Sequence, residues 1–164
     1  MLDDLEHGVT SIELGPPAAP WTLDTLREAL KGVLLDIAPV ALAPHADLGG
    51  AGALVALIDE RGDAASSRSW LGLDPIGAFA RDGSVGDVAA CAEYAASIAA
   101  SHPNVIACTV DTTRYVDAGA DEVQELGWLL ATGVAMLRSL EAGAVSDPVS
   151  DGDERGGHRP DEPA

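Results

Sequence analysis

Residues 121–140 read DEVQELGWLLATGVAMLRSL, and this stretch constrains the fold more than any other. The spacing predicts a helix over 121–141, ended by Gly143, that carries apolar side chains on nearly every side. Such a helix must be covered on more than one face. Its nearly apolar run, 126–137, is too short to cross a bilayer, which takes about 20 residues. It therefore has to lie between layers of protein. Val123, Leu126, Leu130, Val134 and Leu137 share one stripe at helical spacing, suited to packing on strands. Trp128, Leu129 and Met136 point elsewhere, towards whatever else covers the helix.

The layers can be read upstream. Residues 33–42 (VLLDIAPVAL) and 105–111 (VIACTVD) are near-continuous aliphatic runs, as expected where both faces of a parallel sheet are buried. Residues 9–14 and 70–73 are shorter strand candidates. Helical patterns lie between them: 23–31 with Thr22 as N-cap and Gly32 as stop, 52–61 ended by Gly62, and 87–101 stopping before His102-Pro103. Strand and helix alternate, which marks βα units around a parallel sheet and an α/β fold.

The chain carries 27 acidic residues against 9 basic ones, a net charge of −18. That balance argues against nucleic acid, whose phosphates demand Lys and Arg, and against an anionic membrane surface. The N-terminus, MLDDLEH, has neither the basic nor the apolar region of a signal peptide, so a cytoplasmic location is expected. Residues 146–164 (SDPVSDGDERGGHRPDEPA) hold six acids, two arginines, three prolines and one valine. They cannot bury enough to order a backbone and are expected to form a disordered acidic tail after a folded domain over 1–145.

Chemistry is sparse. Cys91 and Cys108 make neither a disulfide framework nor a zinc site and read as small buried hydrophobes. His7, His45, His102 and His158 are scattered, without metal-ligand spacing, so no metal site is expected. Gly50 and Gly52, after a strand and before a helix, supply the first half of a phosphate-cradling loop. The third glycine of a dinucleotide fingerprint is replaced by Val55, and no P-loop lysine follows. A flexible turn is the simpler reading of that loop. The alternative is a small α/β module holding a phosphate-bearing ligand, such as a nucleotide or CoA, at Gly50 and Gly52. Asp111 and Asp117 flank Arg114 at a strand end, where a parallel barrel does its chemistry, although a salt-bridged rim is the commoner outcome.

The stretch VDTTRYVDAGADEVQELGWLLATGVAMLRSL resembles the methylmalonyl-CoA mutase family. The residues that carry the resemblance are Asp117-Ala118-Gly119-Ala120, Gln124-Glu125-Leu126-Gly127, Leu130-Ala131-Thr132-Gly133-Val134 and Leu137-Arg138. Upstream, LDDLEHGVTSIEL, LKGVLLDIAPVAL and SWLGLDPIGAFA are similar to segments of the family's small, non-catalytic subunit, in the same order. The resemblance spans about residues 1–145. It implies part of a (β/α)8 TIM barrel that holds acyl-CoA, a large catalytic subunit as heterodimer partner, and adenosylcobalamin bound elsewhere in the complex. The reaction it implies is the isomerisation between methylmalonyl-CoA and succinyl-CoA. Arg114 stands where catalytic subunits carry a substrate-contacting histidine, and Gly72 where they carry a glutamine. The cobalamin-ligating D-x-H-x-x-G motif is absent from the sequence. The resemblance thus implies a small subunit truncated to part of the barrel, structural in role, inactive alone, binding no cofactor itself, and joined to a large subunit or self-associated.

Overall fold

In the computed structural model, residues 2–15, 19–44, 47–83 and 86–145 are described. Eleven elements follow in order among them: α1 (Leu2–Glu6), β1 (Ile12–Leu14), α2 (Leu23–Ala29), β2 (Val40–Leu42), α3 (Leu48–Arg61), β3 (Trp70–Leu73), α4 (Pro75–Asp82), α5 (Val88–Ser101), β4 (Ile106–Cys108), α6 (Thr113–Asp117) and α7 (Glu122–Val145). The four strands are all parallel and lie in the order β1-β2-β3-β4. The α/β reading holds. His45, His158 and the expected tail from residue 146 lie outside the described residues.

Sequential order has a physical consequence. Parallel neighbours joined by right-handed crossovers place every connecting helix on the same face of the sheet. The covered face carries Ile12, Leu14, Val40, Leu42, Leu71 and Leu73, all buried, packed with Leu26 of α2 and Leu54, Leu57 and Ile58 of α3. The other face is partly bare, with Glu13, Trp70 and Ile106 exposed. This corrects the expectation that the strands are buried on both sides. The aliphatic runs are also longer than the strands they contain. Of 33–42 only Val40–Leu42 is strand; before it, the chain turns through Leu34 and Ile37, and the N–H of Ala38 donates to the carbonyl of Leu34 at 2.8 Å. Buried Val33 and Leu35 still join the core, so the run's hydrophobicity serves packing without a ladder. The 105–111 run keeps only Ile106–Cys108 as strand.

The helices start where local chemistry dictates. Thr22 and Thr25 form a reciprocal capping box at α2. Asp47, Asp74 and Asp87 each cap a helix by accepting a backbone N–H from the residue three ahead. Arg61, in the last turn of α3, donates to the carbonyls of Val33 (2.7 Å) and Leu30 (3.0 Å), closing the end of α2 onto α3.

α7 does not pack on the sheet. It lies along α5, burying Thr132 and Met136, and its first turns reach α6. There Tyr115 and Trp128 stack with ring centroids 4.6 Å apart, and the Thr112 hydroxyl donates to Glu125 at 2.7 Å. The stripe expected to face the strands is exposed instead: Val123 80%, Leu126 56%, Leu130 57%, Val134 44% and Leu137 61%. Met136, expected to point outward, is 5% exposed. Helical spacing identifies a face but not its neighbour, and here the neighbour of the small-residue side is Ala-rich α5. Gly143 continues the helix instead of ending it, close beside Glu93 of α5.

Candidate functional site

A cleft of about 770 Å³ opens at the carboxyl ends of the strands. β1 contributes Glu13 and Leu14, β2 leads into Ala43 and Pro44, and α3 brings Asp47 and Gly50. Trp21 forms part of its wall, and Arg81 of α4 and the segment after β4 (Asp111, Thr113, Arg114, Asp117) complete it. The crevice beyond the carboxyl ends of parallel strands is where open α/β sheets hold ligands.

Asp74 builds one wall. It follows β3, is 3% exposed, and has no arginine or lysine bonded to it among the described contacts. Two backbone N–H groups take its place: Gly77 donates to Oδ1 at 2.8 Å, and Asp111 donates to Oδ2 at 2.9 Å. One carboxylate thereby pins the start of α4 to the β4–α6 loop. Asp111 continues the chain of bonds, its Oδ1 accepting the N–H of Thr113 at 3.0 Å and its hydroxyl at 2.5 Å. This network sets where Arg114 emerges. Arg114 is exposed in α6 and lines the cleft together with Asp111 and Asp117.

Gly72 is buried in β3 and is not part of the cleft lining. Its φ is +66°, and a Cβ there would lie 2.6 Å from the carbonyl oxygens of both Leu42 and Ala43. The register between β3 and β4 shifts at this point. The position is a bulge that only glycine satisfies, so no glutamine side chain could be grown from it on this backbone. The two positions singled out by sequence are therefore not brought to one place: Arg114 lines the cleft and Gly72 does not.

Gly50 and Gly52 lie in the first turns of α3, not in a loop preceding it. Gly50 lines the cleft, but its N–H already donates to Asp47 at 2.6 Å. The helix start thus holds its own carboxylate.

The remaining reactive groups sit elsewhere. Burial and then the charge of Asp87 push the Cys91 thiol up. Burial, then Cys91 and Asp74, push Cys108 up to about 11. Neither is a thiolate near neutrality, which fits the reading as small hydrophobes. His102 is 4% exposed, with one ring nitrogen bonded to Asp59 at 2.9 Å and the other to the Ser101 hydroxyl at 2.8 Å. It ties the end of α5 to α3, remote from the cleft lining. Sequence reasoning gave no role to Asp74 and placed His102 only at the end of a helix, where it caps α5. Asp-Pro opening a helix was a readable signal for the first, but the pairing of His102 with Asp59 spans 43 residues and had none. No group of three metal-ligating side chains occurs among the described residues.

A parallel sheet in sequential strand order, with a cleft at the carboxyl ends of its strands, defines an α/β protein. No protein-family model matches the chain. Its curated relatives are more specific. It is 43% identical over 143 residues to the "Methylmalonyl-CoA mutase small subunit" of Streptomyces virginiae, covering 85% of this chain and 23% of that protein. It is 35% identical over 142 residues to the protein of the same name from Propionibacterium freudenreichii subsp. shermanii, covering 85% and 22%. With a "Probable methylmalonyl-CoA mutase small subunit" of Mycobacterium bovis it shares 34% over 150 residues, covering 88% and 24%. The chain is therefore a relative of the methylmalonyl-CoA mutase small subunit and spans less than a quarter of that protein's length.

Proposed function

We propose that this chain is a structural part of a methylmalonyl-CoA mutase small subunit, an arc of a (β/α)8 barrel that joins a large catalytic subunit in the cytoplasm and has no catalytic residues of its own. The single observation that carries the reading is the bulge at Gly72. At the matching place a catalytic subunit needs a glutamine, and this backbone excludes any side chain. Arg114, in the place of the substrate-contacting histidine, is an exposed residue of the short helix α6. The sequential strand order and the bare sheet face support the barrel arc, because a barrel's inner face is filled by residues from the remaining strands. The folded part is residues 1–145, and 146–164 is an appended acidic segment.

Adenosylcobalamin belongs to the complex and not to this chain. Among the described residues the two histidines do not suit cobalt: His102 is buried with both ring nitrogens engaged, and His7 bonds to the carbonyl of Asp3 on α1. Neither lines the cleft. The residues do not fit the group, and no step of the isomerisation is assigned to them.

A second reading has one observation in its favour: Gly50 lines the same cleft as Arg81 and Arg114, so a nucleotide or CoA phosphate would meet two guanidinium groups. Four carboxylates (Glu13, Asp47, Asp111, Asp117) share that cleft and make the structural reading the better supported.

The test is activity with and without the partner. The purified chain, supplied with adenosylcobalamin and methylmalonyl-CoA, should form no succinyl-CoA, and should co-purify with a tagged large subunit. Steady conversion above a no-protein control overturns the proposal, as does failure to bind the large subunit. Saturable binding of CoA to the chain alone, lost in Arg114→Ala, would favour the second reading.

A further inference from the structure

The carboxyl end of α5 meets α3 at a hydroxyl, an imidazole and a carboxylate in hydrogen-bonded series. Ser101 closes α5, His102 is its C-cap, and Asp59 belongs to the last turn of α3. Oγ of Ser101 lies 2.8 Å from Nδ1 of His102, and Nε2 of the same ring lies 2.9 Å from Oδ1 of Asp59. Asp59 stands at the opposite end of α3 from Asp47, which borders the cleft, and none of the three lines that cleft.

The carboxylate decides the tautomer. A carboxylate oxygen accepts, so Nε2 carries the ring proton and Nδ1 is left bare to take one from Ser101. The Ser101 hydroxyl has a single proton to give, and its other two acceptors are further away, the carbonyls of Ser97 at 3.3 Å and Ile98 at 3.5 Å. Both lie beyond the usual reach of a hydroxyl, so the proton goes to Nδ1. His102 is 4% exposed and its ring is fixed at both nitrogens, whereas Ser101 is open to solvent. An accessible hydroxyl on a base that a third group orients is the arrangement that turns serine into a nucleophile, whatever the fold or the order of the residues. Ser97, one turn earlier, is the contrast: its hydroxyl is spent on the carbonyl of Tyr94 at 2.7 Å.

We propose that the junction of α5 and α3 is a second reactive site, in which Ser101 is a nucleophile towards activated acyl esters, His102 its general base and Asp59 the positioning residue that holds the ring. It stands apart from the mutase reading and takes no part in the isomerisation. In the step, the bond from Oγ to the acyl carbon forms and the bond from that carbon to the leaving oxygen breaks. The hydroxyl proton passes to Nδ1, making an imidazolium that faces Asp59, and from there to water. Nothing is oxidised or reduced, so no co-reactant is needed. The N–H of His102 is already given to the carbonyl of Ile98 at 2.7 Å and does not serve a developing oxyanion. The substrate must therefore bring a good leaving group, as a phenyl ester does and an amide does not.

The test is covalent labelling of the full chain by a fluorophosphonate, in which Oγ bonds to phosphorus as fluoride leaves, together with release of p-nitrophenolate from p-nitrophenyl acetate. Peptide mapping should find the label on Ser101 and not on Ser97, and Ser101→Ala should abolish it. His102→Gln should slow labelling by about 100-fold or more, the usual share of a general base. Asp59→Asn can turn an amide N–H towards Nε2 and move the ring proton to Nδ1. It should lower labelling with the fold intact by circular dichroism, and nitrogen NMR of the imidazole should show the changed tautomer, which a purely structural contact would not require. Labelling no faster than in the urea-unfolded chain overturns the proposal. So does a label spread over several serines, or labelling of Ser101 that is indifferent to both His102→Gln and Asp59→Asn.

Discussion

Gly72 and Asp74, two residues apart, do opposite things to the backbone around the cleft. Gly72 lets β3 press against the carbonyls of Leu42 and Ala43, where a Cβ would be 2.6 Å away. Gly72→Ala should therefore cost about 2–3 kcal/mol, from a strained φ together with a contact that only backbone movement can relieve. Urea denaturation measures it, and a loss below about 1 kcal/mol would mean that β3 shifts freely. Asp74 holds two donors that would otherwise be orphaned. Asp74→Ala should cost about 1–3 kcal/mol, and Asp74→Asn should recover only part, because an amide nitrogen would then face one of the two N–H groups. Cys108 reports on burial through pH. Its folded pKa, about 11, lies above the thiol's ordinary 9.0. The stability it contributes is complete below pH 9 and declines as pH rises towards 11, since only the unfolded chain ionises in that window. We expect slow alkylation of Cys108 at pH 8 that accelerates towards pH 11, and a shallower alkaline loss of stability in Cys108→Ser.

α7 shows how far the elements were legible in the sequence. Its existence, its length to within a few residues and its excess of apolar surface follow from the pattern of residues 121–140 alone. The orientation does not, because two faces of the helix are apolar and periodicity cannot say which meets the protein. The small side chains of α5 decide it by accepting Thr132, Met136 and the partly buried Leu140. In dilute protein, Leu126→Ala should thus change stability by less than about 0.5 kcal/mol, as a surface substitution does. Met136→Ala should cost about 2 kcal/mol or more. The reverse ranking would restore the strand-facing stripe. The aliphatic runs outlast the strands for a related reason: Val33 and Leu35 are core residues in a turn, and hydrophobicity marks their burial without marking their geometry. Of the cleft, the segment around Asp111, Arg114 and Asp117 was visible as charges at a strand end. Gly72 was visible only as a departure from a family pattern, and its positive φ depends on a neighbouring strand that no local signal announces.

The whole molecule carries two uncovered apolar surfaces, the free face of the sheet and the outer side of α7, yet it bears a net charge of −18. Charge of one sign keeps such a chain apart from its neighbours at low salt, and salt screens that repulsion within about 10 Å at 0.1 M. Six of the acids and two arginines lie in residues 146–164, so this segment contributes to repulsion and almost nothing apolar to a core. Deleting 146–164 should leave the melting temperature within about 2 °C, the range expected when little surface is buried or exposed. It should also raise the tendency to associate at low ionic strength, because fewer like charges then oppose the apolar contacts. Calorimetry reads the first effect, and light scattering across a salt series reads the second. A fall of several degrees on deletion would show that residues 146–164 cover one of the two bare surfaces, and association that ignores both salt and deletion would show that charge does not control it.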